Sequence, residues 1–255
     1  RRPYDQLAMS VCYPNLPVRL LGFLPGLTTP GGVTHQATDD LALMRALPNM
    51  TVLECGDATE VESVLDVAQS VQGPVYVRML RGEVPRLFPA TEPMRLGRAR
   101  VLSPEGELTL VTSGICTEEA LRATKALEAH RVTVRHLHVS TLKPFVDPVV
   151  LAALRDPGRG VIVLENHSIV GGLGSAVAEV MAESVVGRPL VRLGLRDTFA
   201  HGASRPYLLR KYGLDAFALV QAIERMLGGT FGIDPDALAQ VHLTPVHSAS
   251  KAEAL

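Results

Sequence analysis

The chain has 255 residues, 47% of them hydrophobic, and its 25 basic and 26 acidic side chains give a formal net charge of −1. The length predicts one large domain or two of ordinary size, and the near-neutral charge gives no electrostatic reason to expect a nucleic acid or an anionic membrane as partner. Three widely spaced cysteines match neither a zinc site nor a disulfide framework, and no apolar run reaches the roughly 18 residues of a membrane span, so a cytoplasmic protein is expected.

The first third of the chain alternates strands with helices. Short apolar runs bounded by Pro, Gly or Asn predict buried strands over 16–23, 50–55 and 74–80. The intervening segments predict helices over 35–47 and 57–71, and the first of these has His35 at its head. The chain opens on Arg rather than Met, which indicates a processed protein or a piece of a longer one.

The rest of the chain repeats this alternation after a crossing that is rich in proline and charge, over 82–107. The strands are predicted over 108–114, 131–139, 160–166 and 189–195. The helices are predicted over 117–129, 147–155, 171–184, 204–212 and 215–227. Strands that alternate with helices predict parallel βαβ units, and therefore an α/β fold with two open, mostly parallel sheets. The first sheet looks incomplete, because three strands are fewer than an open sheet usually has.

Three side chains of the first domain are candidates for binding or catalysis. His35 follows the loop after the first strand, and a histidine there suits hydrogen bonding or proton transfer near neutral pH. Arg78 and Arg81 lie at the carboxyl end of the third strand, where open parallel sheets bind ligands. Two guanidinium groups in that place could grip a phosphate or carboxylate. The alternatives are a helix-start histidine without a function and a pair of surface arginines.

Two other features have structural interpretations beside the functional ones. Gly171, Gly172 and Gly174 lie between a strand and a helix, where they indicate either close backbone packing or an anion held by helix amides. The pattern is not G-x-G-x-x-G, so a dinucleotide loop is not predicted. His136 and His138 share one face of a strand without an evident third metal ligand, and we predict that both are structural.

Several segments, in order along the chain, resemble the carboxyl half of transketolase and of its relative deoxyxylulose-phosphate synthase. They are "RRPYDQLAMSVCYPNLPV", "GLTTPGGVTHQATDDLALMRALPNM", "YVRMLRGEVP", "STLKPF" and "VLENHSIVGGLGSAVAEV". The likeness covers about residues 1–228. It implies a partial pyrimidine-binding domain over 1–90 that lacks its first strands, a linker over 91–107, a transketolase C-terminal domain over 108–230 and a tail over 231–255.

The resemblance also implies an activity: two-carbon ketol transfer between sugars or sugar phosphates, with thiamine diphosphate and Mg²⁺ held mainly by a missing or partner domain. His35 matches the histidine of the family's T-H-Q motif, close to the reactive end of the cofactor. Arg81, with Arg78 as its neighbour, would bind the substrate's phosphate, and Arg2 would lie near the thiamine. The implied partners are an N-terminal transketolase subunit and a second copy of the chain, in a dimer of heterodimers.

Two positions depart from the family pattern and keep other functions open. Gly31 replaces the acid that the family places four residues before the histidine, and Leu24 replaces a basic or polar anchor. These changes leave the donor and acceptor sugars undetermined. The alternatives are a non-catalytic, transketolase-like subunit that supports dimerisation, and a β subunit of a 2-oxo acid dehydrogenase.

Overall fold

The computed structural model of the chain describes residues 2–80, 84–241 and 243. The first part of the chain alternates strands and helices. Its elements are α1 (Tyr4–Gln6), which continues as a π-helical turn (Leu7–Cys12), then β1 (Arg19–Gly22), a 3₁₀ turn (Val33–His35), α2 (Asp40–Ala46), β2 (Thr51–Glu54), α3 (Ala58–Ser70) and β3 (Val75–Arg78).

The second part of the chain has the same alternation with more strands. Its elements are β4 (Arg100–Ser103), β5 (Leu108–Thr112), α4 (Cys116–Glu128), β6 (Val134–His138), β7 (Thr141–Lys143), α5 (Pro148–Arg155), β8 (Val161–Ser168), α6 (Leu173–Glu183), β9 (Leu190–Leu195), α7 (Arg205–Tyr212), α8 (Ala216–Leu227) and α9 (Pro235–Ala239). None of the helices in the described residues is long and apolar enough to cross a membrane.

The strands form two sheets, and most of their pairs are parallel. The first sheet has the order β1-β3-β2-β7, in which only β7 is antiparallel to its neighbour. The second sheet has the order β4-β6-β5-β8-β9, in which only β4 is antiparallel. The prediction of two open, mostly parallel α/β sheets is therefore confirmed.

Local sequence explains how α3 is placed. The Asp57 side chain accepts a hydrogen bond from the Glu60 amide at 2.9 Å, and the Glu60 carboxylate accepts one from the Gly56 amide at 2.9 Å. This reciprocal cap satisfies one amide of the first helical turn and the amide of Gly56, which precedes the helix. Val64 and Ala68 then face the core with no exposed surface. The helix Ala58–Ser70 therefore lies within the range predicted from the sequence, 57–71.

Three predictions about elements were wrong. The helix does not begin at His35, because a 3₁₀ turn ends there and α2 begins only at Asp40. A strand that was not predicted, β4, lies within the segment 91–107 and pairs with β6. The first sheet has a fourth strand, β7, which comes from the second part of the chain. The domain limits themselves stay predictions.

The two sheets share their hydrophobic core. Leu53 and Val77 of the first sheet belong to the same buried cluster as Leu110 and Ile162 of the second. The carboxyl ends of β2 and β3 approach the carboxyl end of β8, since the Arg78 side chain donates to the backbone oxygen of Asn166 at 3.1 Å. Open parallel sheets bind ligands at the carboxyl ends of their strands. These ends of the two sheets therefore approach each other within one chain.

Candidate functional site

A long connection between β1 and α2 carries His35, and we call residues 24–39 the His35 loop. Its two arms pair at the base, because Gly26 N donates to Ala37 O at 2.7 Å and Ala37 N donates to Leu24 O at 3.2 Å. The loop therefore leaves the carboxyl edge of the first sheet and returns to it. His35 lies on the far side of this base, at the end of the 3₁₀ turn.

The His35 imidazole is exposed and has one polar contact. Its Nδ1 lies 2.9 Å from the Thr34 hydroxyl, while its Nε2 has no hydrogen-bond partner among the residues that the structure describes. A hydroxyl can donate or accept, so this contact tolerates either tautomer of the ring. Gly31 packs against the same side chain, and a Cβ at Gly31 would lie 3.0 Å from the Cβ of His35. The residue that replaces the family's acid thus leaves little room for any side chain.

Arg78 is buried inside the protein, which corrects its predicted contact with substrate. Its side chain is 1% exposed, and its Nε donates to Asp40 Oδ2 at 2.9 Å while its Nη1 donates to Glu54 Oε1 at 2.5 Å. The remaining nitrogen donates to the backbone oxygens of Ala37 and Asn166, at 2.7 and 3.1 Å. Such a guanidinium has no open fork for a phosphate. It instead joins β2, β3, β8 and the His35 loop.

Electrostatics fix the charges of this Arg78 cluster (Asp40, Glu54, Tyr76, Arg78 and His167). Burial alone would lower the pKa of Arg78, but the charges of the two carboxylates outweigh burial and raise it. Burial alone would raise the pKa of Asp40, but the charge of Arg78 and the hydrogen bonds from Arg78 and Tyr76 act together against burial, and the pKa is lowered. Tyr76 donates its hydroxyl hydrogen to Asp40 Oδ2 at 2.7 Å. The cluster is therefore a buried, ionised network.

His167 completes the cluster without a charge of its own. Its Nδ1 lies 2.7 Å from the backbone oxygen of Ser168 and must donate to it, so the neutral ring leaves Nε2 as an acceptor. That Nε2 lies 3.8 Å from Asp40 Oδ1, and neither atom has a hydrogen-bond partner in the described residues. Burial, followed by the charge of Arg78, lowers the pKa of His167. His167 is accordingly neutral at neutral pH.

The glycine-rich turn before α6 is packed closely, and its amides already bind a carboxyl group of this chain. Buried Glu165 accepts hydrogen bonds from the Leu173 and Gly174 amides, at 2.7 and 3.0 Å. A Cβ at Gly172 would lie 2.0 Å from Glu165 Oε2. Burial raises the pKa of Glu165 to about 7 despite these bonds. The helix amides are occupied by Glu165, so the close-packing interpretation describes this turn.

His136 and His138 belong to a buried chain of hydrogen bonds. His138 Nε2 lies 3.0 Å from Glu60 Oε2, and its Nδ1 lies 2.6 Å from the Thr117 hydroxyl. His136 Nε2 lies 2.9 Å from the Thr112 hydroxyl, and burial lowers the pKa of His136 to about 3. No group of three or more metal-ligating side chains occurs in residues 2–80, 84–241 and 243. This geometry agrees with the prediction that both histidines are structural.

The structure describes only one of the two other predicted site residues. Arg2 is exposed in the turn that precedes α1, and Arg81 lies outside the described residues. Asn166 was not predicted, although its side chain is 1% exposed and bonded to the His35 loop. The only sequence signal for it was its place in the "ENH" segment at the end of a buried strand.

Family models match most of the chain. The transketolase pyrimidine-binding domain matches residues 1–86, and the transketolase C-terminal domain matches residues 97–219. A 6-deoxy-6-sulfo-D-fructose transketolase subunit from a Clostridium species (strain MSTE9) is 37% identical over 223 residues, which cover 87% of this chain and 69% of that protein. The chain belongs to the transketolase family.

Further members of the transketolase family agree in sequence and structure. A transketolase family protein of Sinorhizobium fredii is 37% identical over 89% of this chain, which spans 66% of that protein. A solved structure described as a split-gene transketolase in an inactive β4 tetramer is 39% identical, with a TM-score of 0.80 over 89% of this chain and 72% of that one. The chain thus spans about two thirds of these relatives.

Proposed function

We propose that the chain is the C-terminal subunit or section of a thiamine-diphosphate-dependent transketolase, active together with an N-terminal partner chain. The observation that carries the proposal is the His35 loop, which presents an exposed imidazole at the carboxyl edge of the first sheet, with no hydrogen-bond partner for its Nε2 among the described residues. The assembled enzyme would transfer two-carbon ketol units between sugars or sugar phosphates. The relatives named as a transketolase subunit and as a split-gene transketolase support a divided enzyme.

The described residues fit one part of the surroundings that thiamine diphosphate requires. They offer the exposed His35 ring and, in the same 3₁₀ turn, the half-exposed Val33. They offer no set of clustered ligands for Mg²⁺ within residues 2–80, 84–241 and 243. We therefore assign the binding of the diphosphate and Mg²⁺ to the partner subunit and the contact with the reacting end to this chain. Thiamine diphosphate, when bound, supplies the carbanion chemistry of ketol transfer.

His35 is proposed to hold or move a proton at a substrate oxygen. When the Thr34 hydroxyl donates to Nδ1, Nε2 carries the ring hydrogen and can donate it; when Nδ1 carries the hydrogen, Nε2 can accept. Arg81 remains the proposed phosphate contact and Arg2 the proposed neighbour of the thiamine. Arg78 is reassigned from substrate binding to holding the His35 loop, through Ala37.

A dimer of heterodimers in the cytoplasm remains part of the proposal, with the domain limits 1–90 and 108–230. One alternative has an observation in its favour. Gly31 lacks the family's acid and packs against His35, which suits a non-catalytic subunit that supports assembly. This alternative predicts a chain that associates with a partner but contributes no residue to turnover.

Ketol transfer in the assembled enzyme tests the proposal. The chain is mixed with an N-terminal transketolase subunit from the same source, thiamine diphosphate and Mg²⁺, and a panel of ketose phosphates and ketose sulfonates is assayed with aldose acceptors. We expect turnover by the mixture and none by either chain alone. His35→Ala should lower kcat by about 10²-fold, since it removes a proton donor and acceptor. Because His35 is exposed, its removal should leave the unfolding midpoint unchanged.

Two outcomes would contradict the proposal. A mixture that binds cofactor but transfers no ketol unit from any donor would favour the non-catalytic subunit. An active mixture in which His35→Ala keeps the wild-type kcat would remove His35 from the reaction.

A further inference from the structure

The carboxyl end of β8 holds both arms of the His35 loop. Asn166 contacts the first arm through both ends of its side-chain amide: Nδ2 donates to the backbone oxygen of Pro25 at 3.0 Å, and Oδ1 accepts from the Leu27 amide at 2.8 Å. The two loop groups lie two residues apart, as in a backbone pair between strands. The side-chain amide of Asn166 therefore makes the hydrogen bonds that the backbone of a neighbouring strand would make to this arm.

The second arm is held by the backbone of the same strand end. Ser168 N donates to Thr38 O at 2.8 Å. The backbone oxygen of Asn166 accepts from the Arg78 guanidinium, which also donates to the backbone oxygen of Ala37. Ala37 and Thr38 are two and three residues beyond His35. The loop is thus attached to β8 on both sides of the histidine.

Gly26 allows the His35 loop to approach the carboxyl end of β8 closely. Its φ of +51° lies in the left-handed region, and a Cβ there would lie 2.2 Å from the backbone oxygen of Asn166 and 2.3 Å from its Oδ1. Only glycine lets the loop lie this near to the strand end. The contact is also buried, so water does not compete for its hydrogen bonds.

We propose that Asn166 is a positioning residue, through which the second sheet fixes the loop conformation that presents His35. The inference gives the second domain a part in the reaction: it sets where the imidazole lies, without touching substrate. The kinetic part rests on the proposed function of His35, while the structural part does not. A misplacement of about 1 Å at a catalytic group can cost on the order of 10²-fold in rate, so the loss of this attachment should be measurable.

Amide hydrogen exchange in the full chain tests the structural part. Asn166→Ala removes both hydrogen bonds, and Asn166→Asp keeps the side-chain volume and one acceptor but loses the donor to Pro25. We expect both variants to raise exchange about 10-fold in peptides that cover residues 24–38. Thr109→Val is the control, since Thr109 is equally buried but lies near the start of β5, away from the loop. Wild-type exchange over 24–38 in both Asn166 variants would overturn the proposal.

Kinetics of the assembled enzyme separate positioning from general stability. We expect Asn166→Asp to lower kcat about 10-fold with little change in KM, and to have no further effect when His35 is already Ala. An equal loss in the His35→Ala background would overturn the inference, because Asn166 would then act independently of His35. If the wild-type assembly shows no ketol transfer, the proposed function fails, and the exchange measurement alone decides whether Asn166 holds the loop.

Discussion

The sequence position of Arg78 is compatible with two roles: binding a ligand's anionic group, or pairing with buried carboxylates of the chain itself. At the end of a parallel strand a guanidinium can meet an incoming anion, but here two carboxylates of the chain reach it first. Taking these charges out of water is costly, and their mutual attraction compensates only if all of them remain. Arg78 therefore matters to stability through the partners that its loss would leave unpaired.

Replacing Arg78 should thus destabilise the fold more than replacing an exposed arginine. Arg78→Met leaves Asp40 and Glu54 buried without a counter-charge, and we expect a loss of about 3–5 kcal/mol in the free energy of unfolding. Arg210→Met is the control, because Arg210 and Asp236 are mostly exposed and their pair should contribute about 1 kcal/mol or less. Urea unfolding measures both. Equal midpoints for the two variants would show that the Arg78 network is not holding the fold.

The local sequence could predict His35 but not Asn166. The strand, the loop and the T-H-Q motif are contiguous, so they indicate a histidine beside the carboxyl edge of a sheet. Asn166 reaches the loop across 139 and 141 residues of chain, and nothing near it signals those partners. The burial of Arg78 was invisible for the same reason: Asn166, one of its acceptors, is 88 residues away.

At the scale of elements, long periodic segments were predicted better than short ones. The helices α3 and α8 have strong amphipathic patterns and side-chain N-caps, and both lie within the predicted ranges, while α4 begins one residue before its predicted range. The strands β4 and β7, which were not predicted, have only four and three residues. They are strands because they pair with β6 and β2. The start of α2 was misplaced because the connection from β1 makes a 3₁₀ turn and a paired base before the helix begins. Tertiary pairing decided each of these cases.

The turn before α6 allows a test of close packing between elements. Gly171 has a φ of +77°, and a Cβ there would lie 2.4 Å from the Cβ of Ala42 on α2. Gly171→Ala combines backbone strain with overpacking, so we expect a loss of about 2 kcal/mol or more in unfolding free energy. Gly187→Ala is the matched control, since a Cβ at Gly187 would meet nothing within 4 Å. Thermal melts of both variants measure the two losses of stability. A neutral Gly171→Ala would mean that α2 and the turn are not packed closely in solution.

At the scale of the whole molecule, the two sheets are joined by contacts that both parts of the chain share. β7 leaves the second part of the chain to complete the first sheet, and the buried apolar clusters contain residues of both parts. The Arg78 network and Asn166 add polar links across the same boundary. Domains of one chain often move relative to each other unless their interface is large and apolar. This interface is built into the core, which favours joint unfolding.

The three cysteines of the chain can report whether the two parts unfold together. Cys12 and Cys55 are buried in the first part and Cys116 in the second, all as free thiols with at most 1% exposure. We expect pulsed alkylation at increasing urea concentration, read by peptide mass spectrometry, to label all three with one common midpoint. The experiment is repeated at two protein concentrations, because self-association would shift every midpoint alike. Labelling of Cys12 and Cys55 at a lower urea concentration than Cys116 would show that the first sheet opens alone. The His35 loop would then lose its attachment to β8 before the second sheet unfolds, and the shared core would be too weak to hold the proposed site in one conformation.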